Sequence, residues 1–236
     1  MSKIFAIASK ELKSYFGSFL PYLVFILTVS TFNIFFYIII DDNQEATLRD
    51  IFKVMEFLFV FLVPLITMKS FSEENALGTM EFLLTTPTRP SQIVWGKFLG
   101  SYVFFVMMAS VTLVYYGITA FFGKGDFGAS AVGFIGILLE GALFIAIGLW
   151  ASSLTRSQTV AAMVSYLVLF LLYFSMALTK YAGVLGEKII HQFGTFSHLD
   201  NMSSGLVNVS DIAYYISVII LCLLWTHWNI DKRLWR

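Results

Sequence analysis

Six stretches of mostly apolar residues divide this chain, near positions 19–40, 52–68, 98–122, 128–150, 159–178 and 212–228. Crossing the roughly 30 Å hydrocarbon core of a bilayer takes about 20 residues of helix, and each stretch comes close to that or exceeds it. Within lipid a backbone N–H or C=O finds no water, so a single segment can satisfy its own polar groups only as a helix. The pattern predicts an all-α, polytopic membrane protein with six transmembrane helices. Composition agrees: 13% of residues are charged, against about a quarter in soluble domains, and 58% are hydrophobic. So little of the chain lies between the stretches that residues 1–236 read as one transmembrane domain with no sizeable soluble part.

The polar remainder sets the orientation. With the N-terminus inside, ten of the fifteen Lys and Arg residues fall on inner segments and five on outer ones, the bias expected of a cytosolic face. Both termini are then cytosolic. Trp95, Trp150, Trp225 and Trp228 fall near the same face, where interfacial aromatics collect. In residues 1–18, Ile4, Phe5, Ala8, Leu12, Tyr15 and Phe16 recur at helical spacing while Lys3, Lys10 and Lys13 avoid that face, which predicts an interfacial amphipathic helix able to dock beside the loop at 70–97. Glu11 and the absence of a small-residue cleavage site argue against a cleaved signal peptide. The single Cys222 can form no intrachain disulfide. A formal net charge of zero offers nothing to nucleic acid, and no such partner is expected.

Residues 70–97 form the longest polar interruption on the inner side, and they do not read as a plain loop. Ser70 with Glu73 suggests a helix start, Gly78-Thr79 a break, and Met80 to Leu84 a very short helix ended by Pro87. Ser91 then opens the helix that carries Trp95 and Lys97 into the third span. Met80, Leu83 and Leu84 share one apolar side that something must cover. Two readings stand here: an apolar loop lying on the membrane, or a rigid knob through which a partner moves two spans. On the outer side, residues 179–211 form a long connection with an amphipathic stretch of its own, Leu185, Ile189, Ile190 and Phe193, then a polar run from Ser197 to Ser204 and a break at Gly205. Such a connection is more often functional than idle.

Chemistry is sparse. A phosphate-cradling loop needs an upstream glycine and a hydroxyl after Gly-Lys, and neither Gly96-Lys97 nor Gly123-Lys124 has them. His191, His198, His227 and Cys222 lack metal-ligand spacing, and no nucleophile elbow occurs. No catalytic residue, metal or cofactor is expected. In the second span Lys53 and Glu56, three apart, are expected to pair, and Pro64 to allow a kink. Glu140 is the one ionisable residue near mid-span, on a face with Ala129, Gly133 and Gly136. A carboxyl there is costly, about 2.5 to 3.5 kcal/mol on insertion scales, so it faces protein or a watery cavity. It is part of a proton relay, a polar lining for a translocation path, or a neutral group hydrogen-bonded across a helix interface made close by small residues, and no relay partner is visible in the other spans. The aromatic first span, with Phe25, Phe32, Phe35, Phe36 and Tyr37, reads as lipid-facing rather than as a cargo surface.

Phe71-Ser72-Glu73-Glu74, then Gly78-Thr79-Met80-Glu81-Phe82-Leu83-Leu84-Thr85-Thr86-Pro87 and Ile93-Val94-Trp95-Gly96-Lys97 resemble the signature of type-2 ABC transporter permeases. Ala146 to Leu149, Ser152 to Gln158, Ser197 to Asn201 with Gly205, and Asp211 to Tyr215 are similar to the same family, most of all to its branch of gliding-motility and nitrous-oxide-reductase-maturation permeases. The resemblance implies a non-catalytic inner-membrane subunit with an interfacial N-terminal helix and a coupling helix between spans two and three. It implies ATP-binding cassette ATPase subunits that bind ATP and Mg elsewhere, a second permease subunit, identical or not, and room for an extracytoplasmic partner. Carried over, Gly78, Thr79, Met80, Glu81, Leu83, Leu84 and Pro87 seat in the ATPase groove, flanked by Glu73 and Glu74. Glu140 is no mark of that family. The rivals are a proton-coupled secondary transporter or channel using Glu140, and a membrane anchor for an extracytoplasmic assembly.

Overall fold

The computed structural model describes residues 3–43, 48–79, 89–122, 127–178 and 192–234. Every element among them is an α-helix: α1 Lys3–Phe16, α2 Phe19–Asn43, α3 Arg49–Leu77, α4 Pro90–Ala109, α5 Thr112–Phe122, α6 Phe127–Leu154, α7 Gln158–Leu178, α8 Thr195–Ser203 and α9 Val209–Leu234. Six helices are long and apolar enough to cross a membrane: α2, α3, α4 continued by α5, α6, α7 and α9. These are the six expected spans. The third is interrupted at Ser110 and Val111, where Ser110 Oγ donates to Met107 O at 2.7 Å and Thr112 Oγ1 to Ala109 O at 2.6 Å. Here Leu113 N and Val114 N donate three residues back, to Ser110 O at 3.0 Å and Val111 O at 3.1 Å, so the helix tightens locally and restarts at Thr112.

Helix α6 is the centre of the bundle. In its most apolar window 72% of residues are buried, against 22% for α2 and for α7. Small residues set that contrast: Ala142, Ala146 and Ala151 are buried on α6, and its glycines admit neighbouring side chains where a Cβ would collide. Along the α3 contact, Phe52 meets Gly133, Glu56 meets Glu140, Thr67 meets Gly148 and Phe71 meets Ser152. A register that advances together on both helices means that they run parallel, as the second and fourth spans must when each span crosses the membrane once.

The outer helices show the opposite pattern. On α2 the buried positions are Pro21, Val24, Thr28 and Phe32, one narrow stripe, and Phe25, Phe35 and Tyr37 are exposed. Two of the five aromatics expected to face lipid pack inward instead: Phe32 against Phe59 at 5.8 Å between ring centroids, and Phe36 stacked on Tyr115 at 4.5 Å.

Helix α1 packs on α4 but is rotated from the expected face. Phe5 and Phe16 are exposed, while Ile7 and the acidic Glu11 turn toward α4. Gly96 and Gly100 make this approach possible, since a Cβ at 96 would lie 2.6 Å from Ile7 Cβ and one at 100 would lie 2.8 Å from Glu11 Cβ.

Candidate functional site

The site grows from the end of α3. At 29 residues, α3 is about 44 Å long, well beyond the bilayer core, so its last turns project from the membrane. The expected helix start at Ser70 is therefore wrong. Ser70 lies inside α3, and a spacing that looks like a capping box is here one face of a continuing helix. The helix passes through Pro64 unbroken and stops at Gly78, whose φ of 70° is the left-handed conformation that ends helices at glycine. Helix α4 starts at Pro90, one residue before the expected Ser91, with Arg89 N donating to Gln92 Oε1 at 3.2 Å. The elbow thus narrows to residues 78–89. Gly78 and Thr79 are exposed at its near end, and Met80, Glu81, Leu83, Leu84 and Pro87 lie outside the described residues.

Where the elbow leaves and returns, three helices are tied by one buried amine. Lys97 Nζ, on α4, lies 3.0 Å from Glu74 Oε1 on α3 and 3.2 Å from Glu11 Oε2 on α1, and donates to Ser70 O at 2.6 Å. Ser70 Oγ donates to Glu11 Oε1 at 2.8 Å, and the ammonium sits 5.1 Å from the centre of the Phe71 ring. The Lys97 side chain is only 3% exposed. All three ammonium hydrogens have an acceptor, and two carboxylates face one buried cation, which holds the group together once it is out of water. Of the two glutamates expected to flank a coupling helix, Glu74 belongs to this cluster and Glu73 is exposed. Close by, Tyr15 Oη and Ser101 Oγ are 2.8 Å apart. Burial, reinforced by Glu11, pushes the Tyr15 phenol well above its usual range, against a smaller opposing effect of Ser101, so Tyr15 is a neutral strut between α1 and α4. A cleft of about 510 Å³ opens beside the cluster between α1 and α3, with Lys10, Lys69 and Glu73 on its walls.

A second tie joins α3 to α6. Ser152 Oγ accepts from the backbone N–H groups of Phe71 and Ser72, both at 2.9 Å, and donates to Met68 O at 3.0 Å. Ser72 Oγ also donates to Met68 O. A foreign hydroxyl is thereby inserted into the α3 ladder, the kind of contact at which helices bend. Asn75 Nδ2 donates to Thr155 O at 3.2 Å, so the last two turns of α3 are held from α1, α4 and α6 together.

The other end of the bundle has a different polar group. The carboxyls of Glu56 and Glu140, each 1% exposed, face one another within hydrogen-bonding reach. The expected Lys53–Glu56 pair does not form; Lys53 Nζ lies 3.3 Å from Asp200 and 3.9 Å from Asp50. Rotation along α3 explains this, because position 53 faces outward toward α8 while 56 faces α6. Helix α8 lies over this end. Asp200 also binds Arg49 at 3.1 Å, and His198 Nδ1 is 2.7 Å from Asp211 Oδ1. Gly205 breaks the chain as expected, with φ 81°. Of the predicted amphipathic stretch, Phe193 is exposed, and Leu185, Ile189 and Ile190 lie outside the described residues.

Sequence reasoning missed Glu11, Ser70, Lys97, Ser152 and Glu56 as members of sites. Signals were present for two of them. Glu11 follows Ala8 and precedes Tyr15 at helical spacing, so a carboxylate stood on the apolar stripe of α1 and needed a buried cation. Glu56 lies at mid-stripe between Phe52 and Phe59, both buried.

Among curated proteins no sequence matches this chain. A family model described as ABC-2 family transporter protein matches residues 2–226, nearly the whole length, and takes in the elbow, both polar clusters, the first five apolar helices and most of the sixth. Proteins of this family are non-catalytic membrane components of ABC transporters and work with ATP-binding cassette ATPase subunits. This multi-pass membrane protein belongs to the ABC-2 family of transporter proteins.

Proposed function

We propose that the chain is the permease subunit through which a separate ATP-binding cassette ATPase drives translocation, with residues 78–89 as its docking elbow. The observation that carries this reading is the Lys97 cluster. A push on the elbow arrives at Glu74 on α3 and Lys97 on α4, and a buried amine shared by three helices moves α1, α3 and α4 as one body. Ser152 then hands the displacement to α6 through the backbone of Phe71 and Ser72. A secondary transporter needs no such rigid base under a cytosolic loop.

In this reading the elbow end and both termini are cytosolic, α8 lies on the far side of an inner membrane, and Met80, Leu83 and Leu84 fill a groove on the ATPase while Glu81 stays at its rim. Two ATPase subunits and a second permease, identical or related, complete the transporter. Helices α2, α7 and α9 keep apolar faces exposed that lipid or the second permease covers. Within the family the motifs point to the gliding-motility and nitrous-oxide-reductase-maturation branch, whose members would place an extracytoplasmic partner over α8.

The test is co-purification of the full chain from membranes with an ABC ATPase encoded beside it. Leu83→Asp and Leu84→Asp are expected to abolish binding, and Lys97→Met to keep binding but lose transport-linked stimulation of the ATPase. Undiminished binding by both aspartate variants would overturn the docking role.

A further inference from the structure

Two carboxyl groups facing each other deep in an apolar bundle pose a chemical question that the coupling function does not answer. Two buried carboxylates facing one another repel, and a carboxylate has no hydrogen to donate, so the contact of Glu56 with Glu140 requires a proton between them. Each side chain keeps one buried oxygen, Oε1, without a hydrogen-bond partner among the described residues. Neither Oε1 takes part in the contact, so it is not a two-bond acid dimer, and one proton suffices to hold it. Beside it stands a third such group. The hydroxyl of Tyr215, on α9, is fully buried and has no hydrogen-bond partner among the described residues, and it lies within electrostatic reach of Glu56, Glu140 and Asp211. Three unpartnered polar groups converging in one apolar interior are costly unless they serve something.

We propose that Glu56 and Glu140 form a one-proton binding site that exchanges with the membrane face carrying α8, by way of the Tyr215 hydroxyl and the His198–Asp211 pair. Both carboxyls lie in the half of the bundle that α8 covers. The Tyr215 ring lies 6.1 Å from that of His198, whose Nδ1 is 2.7 Å from Asp211 Oδ1. The Tyr215 hydroxyl, which has no partner at rest, turns to the pair and takes the proton as it passes its own to Asp211, so the tyrosine ends neutral, Asp211 ends protonated and the pair ends doubly ionised. The groups facing the pair are Lys53 on α3, Asp200 on α8, Tyr173 on α7, and Tyr214 and Tyr215 on α9. Lys53 is the cation among them, and Asp200 already engages it at 3.3 Å. An emptied site thus sets two carboxylates against each other across the α3–α6 contact with little to offset them, and the helices lose their hold there. Occupancy of the site reports the proton concentration on the α8 side to the helix that carries the elbow.

The experiment is infrared spectroscopy of the full-length protein in lipid nanodiscs, with no ATPase present, so its outcome is separate from that of the coupling test. The wild type is expected to show a carboxylic-acid C=O band that shifts in heavy water and is lost as pH is raised. The double variant Glu56→Gln/Glu140→Gln, nearly isosteric, loses the band at every pH. Tyr215→Phe keeps it but slows its deuterium shift, on the order of a hundredfold for a proton-relaying side chain removed. A band that survives in the double variant, one that never responds to pH or heavy water, or an unchanged exchange rate in Tyr215→Phe overturns the proposal.

Discussion

The two ends of α3 bury ionisable groups in opposite ways. At the elbow end one cation meets two carboxylates and every ammonium hydrogen has an acceptor, with Glu74 Oε2 left unpartnered, whereas toward the α8 end two carboxyls meet each other with no cation between them and leave two oxygens and a tyrosine hydroxyl unpartnered among the described residues. A cluster whose opposite charges offset one another has one low-energy arrangement and transmits force. A pair of like carboxyls changes with a single proton. In the proposed reading the same helix is fixed where the elbow pushes on it and adjustable at the end that α8 covers.

Breaking the first end is expected to cost most. Lys97→Met leaves Glu11 and Glu74 buried without their cation, a loss of roughly 3–5 kcal/mol read as a lowered unfolding midpoint in nanodiscs. A midpoint unchanged within error would mean that the cluster is not under tension and that the contrast between the ends is false. Next comes Gly148→Val, since a Cβ at 148 falls onto the Thr67 side chain; overpacking of this kind costs about 1–3 kcal/mol and should also depress transport, because α3 and α6 can no longer touch.

Ser152→Ala removes the hydroxyl that serves the amides of Phe71 and Ser72, and about 1–2 kcal/mol of stability is expected to go with it. A Ser152→Thr variant that restores the hydroxyl restores part of the loss. Glu140→Gln sharpens the comparison from the other end. An amide can donate to Glu56 in place of the shared proton, so stability should change by no more than about 1 kcal/mol, far less than Lys97→Met. A larger loss would show that the acid pair is as rigid a fastening as the lysine cluster. Smallest is Arg49→Ala, which breaks a half-exposed pair with Asp200 and should cost about 0.5 kcal/mol, less at high salt.

Much of the fold was legible in the residues, because hydropathy acts locally. The spans and the glycine stops at 78 and 205 follow from periodicity and backbone conformation alone, whereas α1 packs on α4 by a face that Gly96 and Gly100 select. The errors have particular causes. Ser70 with Glu73 reads like a helix start only if the preceding span stops near the membrane surface, and α3 does not stop there. Lys53 was given to Glu56 because three residues separate them, but a helix that packs on α6 at 56 turns 53 toward α8.

What the sequence determined by itself is a helical membrane protein of six spans with a polar elbow, since a lipid interior admits few other forms for such apolar runs. Which charges meet was decided only by tertiary structure. Glu11, Glu74 and Lys97 lie far apart along the chain, as do Glu56 and Glu140. Their partners were chosen by how closely glycine-bearing helices approach, a property of surfaces in contact that no single segment contains.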